Sequence, residues 1–177
     1  GEAHASELSA LCLDFRQRKL FTGDHLGHVL AYDYLNGAHM KTFRSPDVTA
    51  ENGEERAHRL EVSGLVYCNE HKILISASWD RTIRVHDDEL ADAGVLLRWM
   101  SGGHAADITS LAYSYQTSLI ASGSSDSVIQ VWDFELGRLQ GTCSGHRAAI
   151  TSLRFLDPFP LLLSTDADGK LRLWATR

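Results

Sequence analysis

The sequence predicts an all-β protein built as an array of four antiparallel repeats, and three observations predict it. A histidine is followed 28 positions later by a residue closing an alternating strand in four pairs: His4 with Tyr32, His58 with His86, His104 with Trp132 and His146 with Trp174. Between these markers, short apolar stretches alternate with period two and are separated by turn residues, the signature of β-meanders. The tetrapeptide Ile-Thr-Ser-Leu recurs at 108–111 and 150–153. Self-similarity at a fixed period means that the chain is read as an array of like units rather than one irregular domain.

The third unit shows the elements best. After Gly103-His104, the stretch Ile108 to Tyr113 alternates, Ser118 to Gly123 follows, and a turn at Ser124 to Ser127 leads to Val128 to Trp132. Gly137 to Cys143 supplies a fourth strand. The last unit repeats this from Gly145-His146 through Ile150 to Phe155 and Leu161 to Ser164. Its turn spans Asp166 to Gly169, before Leu171 to Trp174. The second runs from Ala57-His58 through Val62 to Tyr67, Ile73 to Ser76 and Asp80 to Thr82-Ile83-Arg84-Val85-His86. The first runs from Ala3-His4 through Leu8 to Phe15 and Leu20 to Gly23 to Val29 to Tyr32. The repeats therefore span about 3–43, 57–101, 103–143 and 145–177 within one domain, the last without an outer strand. Residues 44–56, polar and acidic with Pro46 and Gly53, are expected to form an exposed insertion, and Asp88 to Gly94 a smaller one. Such insertions cost little loop entropy.

Composition narrows function. A chain of 177 residues with 44% hydrophobic and 23% charged residues is ordinary for a soluble globular protein. A net charge of −6 argues against nucleic-acid binding, which draws on a basic face. Cys12, Cys68 and Cys143 are odd in number and widely spaced, so neither a disulfide framework nor a zinc site is expected. Cys12 and Cys68 read as buried free thiols. An intracellular, cytoplasmic setting follows from cysteine usage, and no apolar run reaches the ~20 residues of a membrane span.

The Gly-His starts, the Asp in the third turn and the closing Trp-Asp resemble the WD40 repeat family. The resemblance covers nearly the whole chain. It implies a β-propeller in which each repeat is a four-stranded blade, here four blades belonging to a larger seven- or eight-bladed propeller. It also implies a hydrogen-bonded network in each repeat, linking the Gly-His histidine, a Ser or Thr of the second strand, the turn Asp and the Trp. By position these are His104, Ser122, Asp126 and Trp132 in the third repeat, and His146, Ser164, Asp168 and Trp174 in the fourth. The second offers His58, Ser76 and Asp80, with His86 in the Trp place. In the first, His4, Thr22 and Tyr32 fit, but Leu26 stands where the Asp belongs, so its network is expected to be broken.

This accounts for most of the nine histidines and weakens the case for chemistry. His25-x-x-His28 is half of a metal site with no second pair at matching spacing. Asp166-x-Asp168-Gly169 lacks the later acidic ligands of an EF-hand. Neither a GxSxG elbow nor a phosphate-cradling glycine run occurs. No catalytic residue, metal or cofactor is expected, and the chain reads as a non-enzymatic scaffold that binds other proteins or peptides. Trp79 stands out in the turn face, because an exposed turn tryptophan suits a binding anchor. His25, Asp107 and Arg147 are further partner-binding candidates. Trp99, in the stretch Leu96 to Met100, is expected on the rim or packed under the insertion. Four repeats are few for this family, which implies a piece of a larger propeller or, alternatively, self-association of two copies into a four-plus-four ring. The segment from Phe155 to Ser164 is similar to one in large ciliary and flagellar WD-repeat proteins, some carrying EF-hands. That adds two alternatives: a structural part of an axonemal assembly, and the regulatory domain of a longer, calcium-linked protein.

Overall fold

In a computed structural model, the structure describes residues 4, 6–14, 18–89 and 93–176. Ala3, Phe15, part of the smaller insertion (residues 90–92) and Arg177 lie outside the described residues. Among the described residues, fifteen β-strands form four successive blades. Blade 1 holds β1 (Leu8–Asp14), β2 (Lys19–Asp24), β3 (Val29–Asp33) and β4 (His39–Phe43). Blade 2 holds β5 (Val62–Cys68), β6 (Ile73–Ser78), β7 (Ile83–Asp87) and β8 (Ala93–Met100). Blade 3 holds β9 (Ile108–Ser114), β10 (Leu119–Ser124), β11 (Ile129–Asp133) and β12 (Arg138–Cys143). Blade 4 holds β13 (Ile150–Phe155), β14 (Leu161–Asp166) and β15 (Leu171–Ala175). Successive strands within a blade pair antiparallel. No helix occurs among the described residues.

Each inner strand carries a register shift at its second residue: Ser9, Ser63, Thr109 and Thr151. A bulge re-aims the side chain it frees. Here that side chain is always a hydroxyl, and two of the four tie one blade to the next. Ser9 Oγ donates to the Val62 carbonyl at 2.7 Å, and Thr109 Oγ1 to the Ile150 carbonyl at 2.5 Å. The four inner strands share one groove, to which Ser9, Ser63, Thr109 and Thr151 all contribute. This is the arrangement of propeller blades around a central channel.

The core lies between blades, in three layers. Phe21, Val29, Ala31 and Phe43 of blade 1 pack on Val62, Leu65 and Leu74 of blade 2. Ile73, Ile75, Ile83, Val85 and Met100 pack on Ile108, Ile120 and Trp132. Ala121, Ile129 and Val131 pack on Ile150, Leu153, Phe155 and Leu162. Both faces of an internal blade are thus apolar. The middle strands β6 and β10 are buried along their whole length, reading as near-continuous apolar or small runs rather than alternating ones. Cys12 packs on the first layer and Cys68 belongs to the second, both as free thiols. Burial, reinforced by Asp14, pushes the Cys12 thiol up to about 12, which keeps it protonated and unreactive at neutral pH.

Blades 1 and 2 are joined further by a parallel contact between outer strands, Thr42 with Ala93 and Phe43 with Gly94, making one eight-stranded sheet. Gly94 is required there, since a Cβ would fall 1.9 Å from the Phe43 ring. The 44–56 insertion is mostly exposed, yet Ser45 and Val48 are buried. Asp47 grips Arg84 with both carboxylate oxygens, at 2.6 and 2.7 Å. The Arg84 guanidinium lies 5.9 Å from the ring of Trp99, which stays half exposed on the rim and so is only partly covered by the insertion.

Candidate functional site: a turn face held by buried His–carboxylate pairs

The turns between the second and third strands of each blade, together with the histidine loops, make up one face. In each blade the loop histidine reaches a hydroxyl of the second strand, and in three of the four it also meets a turn carboxylate. In blade 2, His58 Nε2 meets Ser76 Oγ at 2.8 Å and Nδ1 meets Asp80 Oδ2 at 3.1 Å. In blade 3, His104 Nε2 meets Ser122 Oγ at 2.7 Å, and Trp132 Nε1 donates to the same hydroxyl at 2.9 Å. His104 Nδ1 stands 3.8 Å from Asp126 Oδ2, beyond hydrogen-bond reach. The third repeat, the clearest in sequence, therefore has the loosest carboxylate contact. In blade 4, His146 Nε2 meets Ser164 Oγ at 2.7 Å and Trp174 Nε1 donates to Ser164 Oγ at 2.8 Å.

Two sequence expectations need correction here. The carboxylate facing His146 is Asp166, with Oδ2 at 2.6 Å from Nδ1, and not Asp168, which is exposed and offers its backbone N–H to Asp166 Oδ1. Blade 1 is not broken at Leu26 either. Asp24 Oδ2 lies 2.8 Å from His4 Nδ1, while His4 Nε2 meets Thr22 Oγ1 at 2.7 Å. The physical reason lies in the turn's backbone. Two N–H groups per turn need acceptors. In blades 1 and 4 a single Asp at the strand end takes both on Oδ1: Leu26 and His28 N–H on Asp24, Asp168 and Lys170 N–H on Asp166. Its Oδ2 is then free for the histidine. In blades 2 and 3 a serine stands at that place. Ser78 and Ser124 accept the first N–H, and an Asp two positions on, Asp80 or Asp126, accepts the second. Two sequence solutions serve one turn. Aligned on the histidines, the strand-end column reads Asp24, Ser78, Ser124, Asp166, and this pattern was open to a sequence reading.

His86 also departs from the expected network. It is fully buried, meets Ser45 Oγ at 3.4 Å and sets its ring edge-on to Phe43 at 5.6 Å, while its Nδ1 has no partner. Burial pushes its pKa down to about 3, helped by His58 and Arg84 nearby. Burial likewise lowers the pKa of His58 and of His104.

On this scaffold the solvent-facing tips differ sharply between blades. His25, Trp79, Ser125 and Ala167 occupy equivalent tips, and all are exposed. Trp79 leaves 41% of its surface in solvent. Its N–H donates to the Glu61 carbonyl, and Ser78 Oγ donates to the Leu60 carbonyl. His58 N–H donates to the Gly27 carbonyl, which brings in Leu26. Leu26, Leu60 and Trp79, all exposed, thus sit on adjoining backbone at the joint of blades 1 and 2. The places of Leu60 and Trp79 are held by Ala106 and Ser125 in blade 3 and by Ala148 and Ala167 in blade 4. Gly27 makes the joint close, because a Cβ on it would meet the His58 carbonyl oxygen at 2.1 Å. Arg56 donates to the Leu26 carbonyl at 3.1 Å, Arg59 and Arg81 are exposed next to the patch in sequence, the Arg59 guanidinium donating to the Asp47 carbonyl, and His25 Nδ1 meets Glu61 Oε2 at 3.0 Å. Of the other sequence candidates, Arg147 is exposed on the same face at blade 4. Asp107 is half-buried, its backbone carbonyl accepting from Ser125 N–H. Neither adjoins the apolar patch.

Antiparallel blades around a shared groove, four-stranded in blades 1 to 3 and three-stranded in blade 4, each with a histidine bound to a hydroxyl of its second strand, define a β-propeller. The sequence pattern of the family described as WD domain, G-beta repeat matches residues 52–87, 96–133 and 137–175. The chain belongs to the WD40 repeat family. Among solved structures it is similar to the computationally designed Ika4 protein, at 27% identity and TM-score 0.79 over 99% of this chain and 95% of that one. It is similar to the designed Ika8 protein at 27% identity and TM-score 0.78, over 99% of this chain and 48% of that one. It shares the fold of U3-55K at 19% identity and TM-score 0.82, over 98% of this chain and 50% of that one. The chain therefore spans about half the length of Ika8 and U3-55K. No curated protein matches it by sequence.

Proposed function

We propose that this chain acts as a protein-interaction scaffold, as WD40 propellers generally do, and binds a protein partner at the joint of blades 1 and 2, with Trp79 as the anchor. The observation that carries the reading is the concentration of Leu26, Leu60 and Trp79 at one joint, where the places of Leu60 and Trp79 in blades 3 and 4 hold alanine and serine and that of Leu26 holds Asp126 and Asp168. Exposed tryptophan ringed by polar groups is the composition of an interface hot spot, and Arg59 and Arg81 suit a partner with acidic side chains beside its apolar contact. A place in a cytoskeletal assembly, or as the regulatory domain of a longer chain, would use the same face. The test is a pulldown with wild type, Trp79→Ala and Tyr115→Ala, the last replacing an exposed aromatic outside the patch. A protein recovered with wild type and Tyr115→Ala is expected to be lost with Trp79→Ala. An unchanged set of recovered proteins sinks the anchor.

A second reading has its own observation. The first and last blades present complementary apolar faces. Leu11 is 66% exposed, whereas Leu65, at the same place in blade 2, is 8% exposed because blade 1 covers it. Leu171 is 64% exposed, whereas Ile129, its equivalent in blade 3, is fully covered by blade 4. Leu173 repeats the contrast with Val131. A second copy placed head to tail would cover both faces with the packing seen at every internal joint, closing a four-plus-four ring. The monomer mass is 19.6 kDa, and sedimentation is expected to show twice that for wild type and a monomer for the Leu11→Glu, Leu171→Glu double variant. A wild-type monomer at high micromolar concentration removes this reading.

A further inference from the structure

Blade 1 carries a histidine that the other blades lack: His28 stands where they have Thr82, Val128 and Lys170. Its Nδ1 lies 2.8 Å from Asp24 Oδ2, the same oxygen that His4 Nδ1 approaches at 2.8 Å. The three atoms lie within 4.8 Å of one another, and Asp24 is fully buried. The other Asp24 oxygen is already engaged: Oδ1 accepts the backbone N–H groups of Leu26 and His28 at 2.9 Å each. His28 Nε2 lies 3.3 Å from Glu54 Oε1 without forming a hydrogen bond, and His4 Nε2 meets Thr22 Oγ1 at 2.7 Å. Two imidazole nitrogens and one buried carboxylate oxygen thus converge on one point. Each Nδ1 can donate a proton to Asp24 Oδ2, or, with the ring proton on Nε2, bind a cation there. One dication can take the place of those two protons.

We propose that His4 Nδ1, Asp24 Oδ2 and His28 Nδ1 form a three-ligand site for a divalent ion of the zinc class, with Thr22 and Glu54 orienting the rings from behind. Two imidazoles and one carboxylate suit zinc and exclude the all-oxygen chemistry of calcium or magnesium. Ligand bonds of about 2.0–2.1 Å call for the two rings to open from Asp24 by only a few tenths of an ångström. Metal-bound imidazoles are generally fixed by an acceptor on the distal N–H: Thr22 Oγ1 is placed to accept from His4 Nε2, and Glu54 lies 3.3 Å from His28 Nε2. The pairing differs from the His25-x-x-His28 half-site of the sequence, because His25 points its ring to Glu61 instead. With three protein ligands, a fourth position is left to solvent.

The test is titration of the chelator-treated 177-residue chain with Co²⁺, then displacement by Zn²⁺. Wild type and the His25→Gln control are expected to show the visible ligand-field bands of a four-coordinate 1:1 complex, bleached by Zn²⁺. His28→Gln and His28→Thr, the latter copying blade 2, are expected to bind at least about tenfold more weakly while staying folded by circular dichroism. Zn²⁺ is also expected to raise the melting temperature of wild type and not of either His28 variant. A spectrum no different from the aqueous ion, or wild-type affinity in both His28 variants, overturns the site.

Discussion

Replacing Asp80 by alanine is expected to cost about 2–4 kcal/mol of stability. Asp80 accepts from the backbone N–H of Arg59 and of Thr82 and from the Thr82 hydroxyl, and it faces His58 Nδ1, which is fully buried. Against the opposing effect of burial, hydrogen bonds from His58, Thr82 and the Arg59 N–H hold the carboxyl well below the usual range. Alanine leaves both N–H groups without an acceptor and His58 Nδ1 with only the Thr82 hydroxyl, at 3.2 Å, and each orphaned group carries its own desolvation penalty. Asp126→Ala, at the same place in blade 3, is expected to cost only about 1 kcal/mol, since the His104 contact is 3.8 Å and water reaches the carboxylate. In blade 4 the order inverts between neighbours: Asp166→Ala is expected to lower the melting temperature more than Asp168→Ala. Urea unfolding midpoints of the four variants check the series. Equal losses for Asp80→Ala and Asp126→Ala would refute the geometric account.

Acidification is expected to unfold the protein through its neutral buried histidines. Above the ordinary histidine pKa of 6.5, His86 is neutral in both folded and unfolded chains, and its titration contributes nothing to stability differences. As pH falls below 6.5, the unfolded chain takes up a proton that the folded chain refuses until about pH 3. The unfolded state therefore gains, and stability falls by up to about 1.4 kcal/mol per pH unit for this one group. That is ~2 kcal/mol by pH 5 and of order 4–5 kcal/mol at the lower end of the window. His58 and His104, also lowered, add to the slope in the same direction. His86→Phe keeps a ring against Phe43 and removes the titration, so its stability is expected to fall less steeply between pH 6.5 and 5. Denaturant titrations at pH 7, 6 and 5 measure both slopes, and parallel slopes for the two proteins would discard the role of His86.

Much of this was legible in the residues themselves. The 28-residue interval and the period-two alternation mark strands, and these are local features fixed by pleat and turn. The places of His58, Ser76, His104, Ser122, Trp132, His146, Ser164 and Trp174 follow from the same counting, because they sit at constant distances along one blade. Asp24 and Asp166 escaped it. A tight turn can satisfy its N–H groups from either of two positions, so a motif tuned to one position reads the other as a defect. His86 escaped for another reason. Its partners Phe43 and Ser45 are about forty positions away and belong to blade 1 and the insertion.

The sequence by itself determined that this is an array of four WD40 blades and which histidine meets which hydroxyl in each, since repeat spacing carries that information locally. Only the tertiary structure decided which carboxylate closes each turn, that Leu26, Leu60 and Trp79 share one joint, and that His28 joins His4 on Asp24. Those facts depend on contacts between turns and blades far apart in the chain, where packing and hydrogen-bond demand choose among residues that a repeat pattern treats as interchangeable.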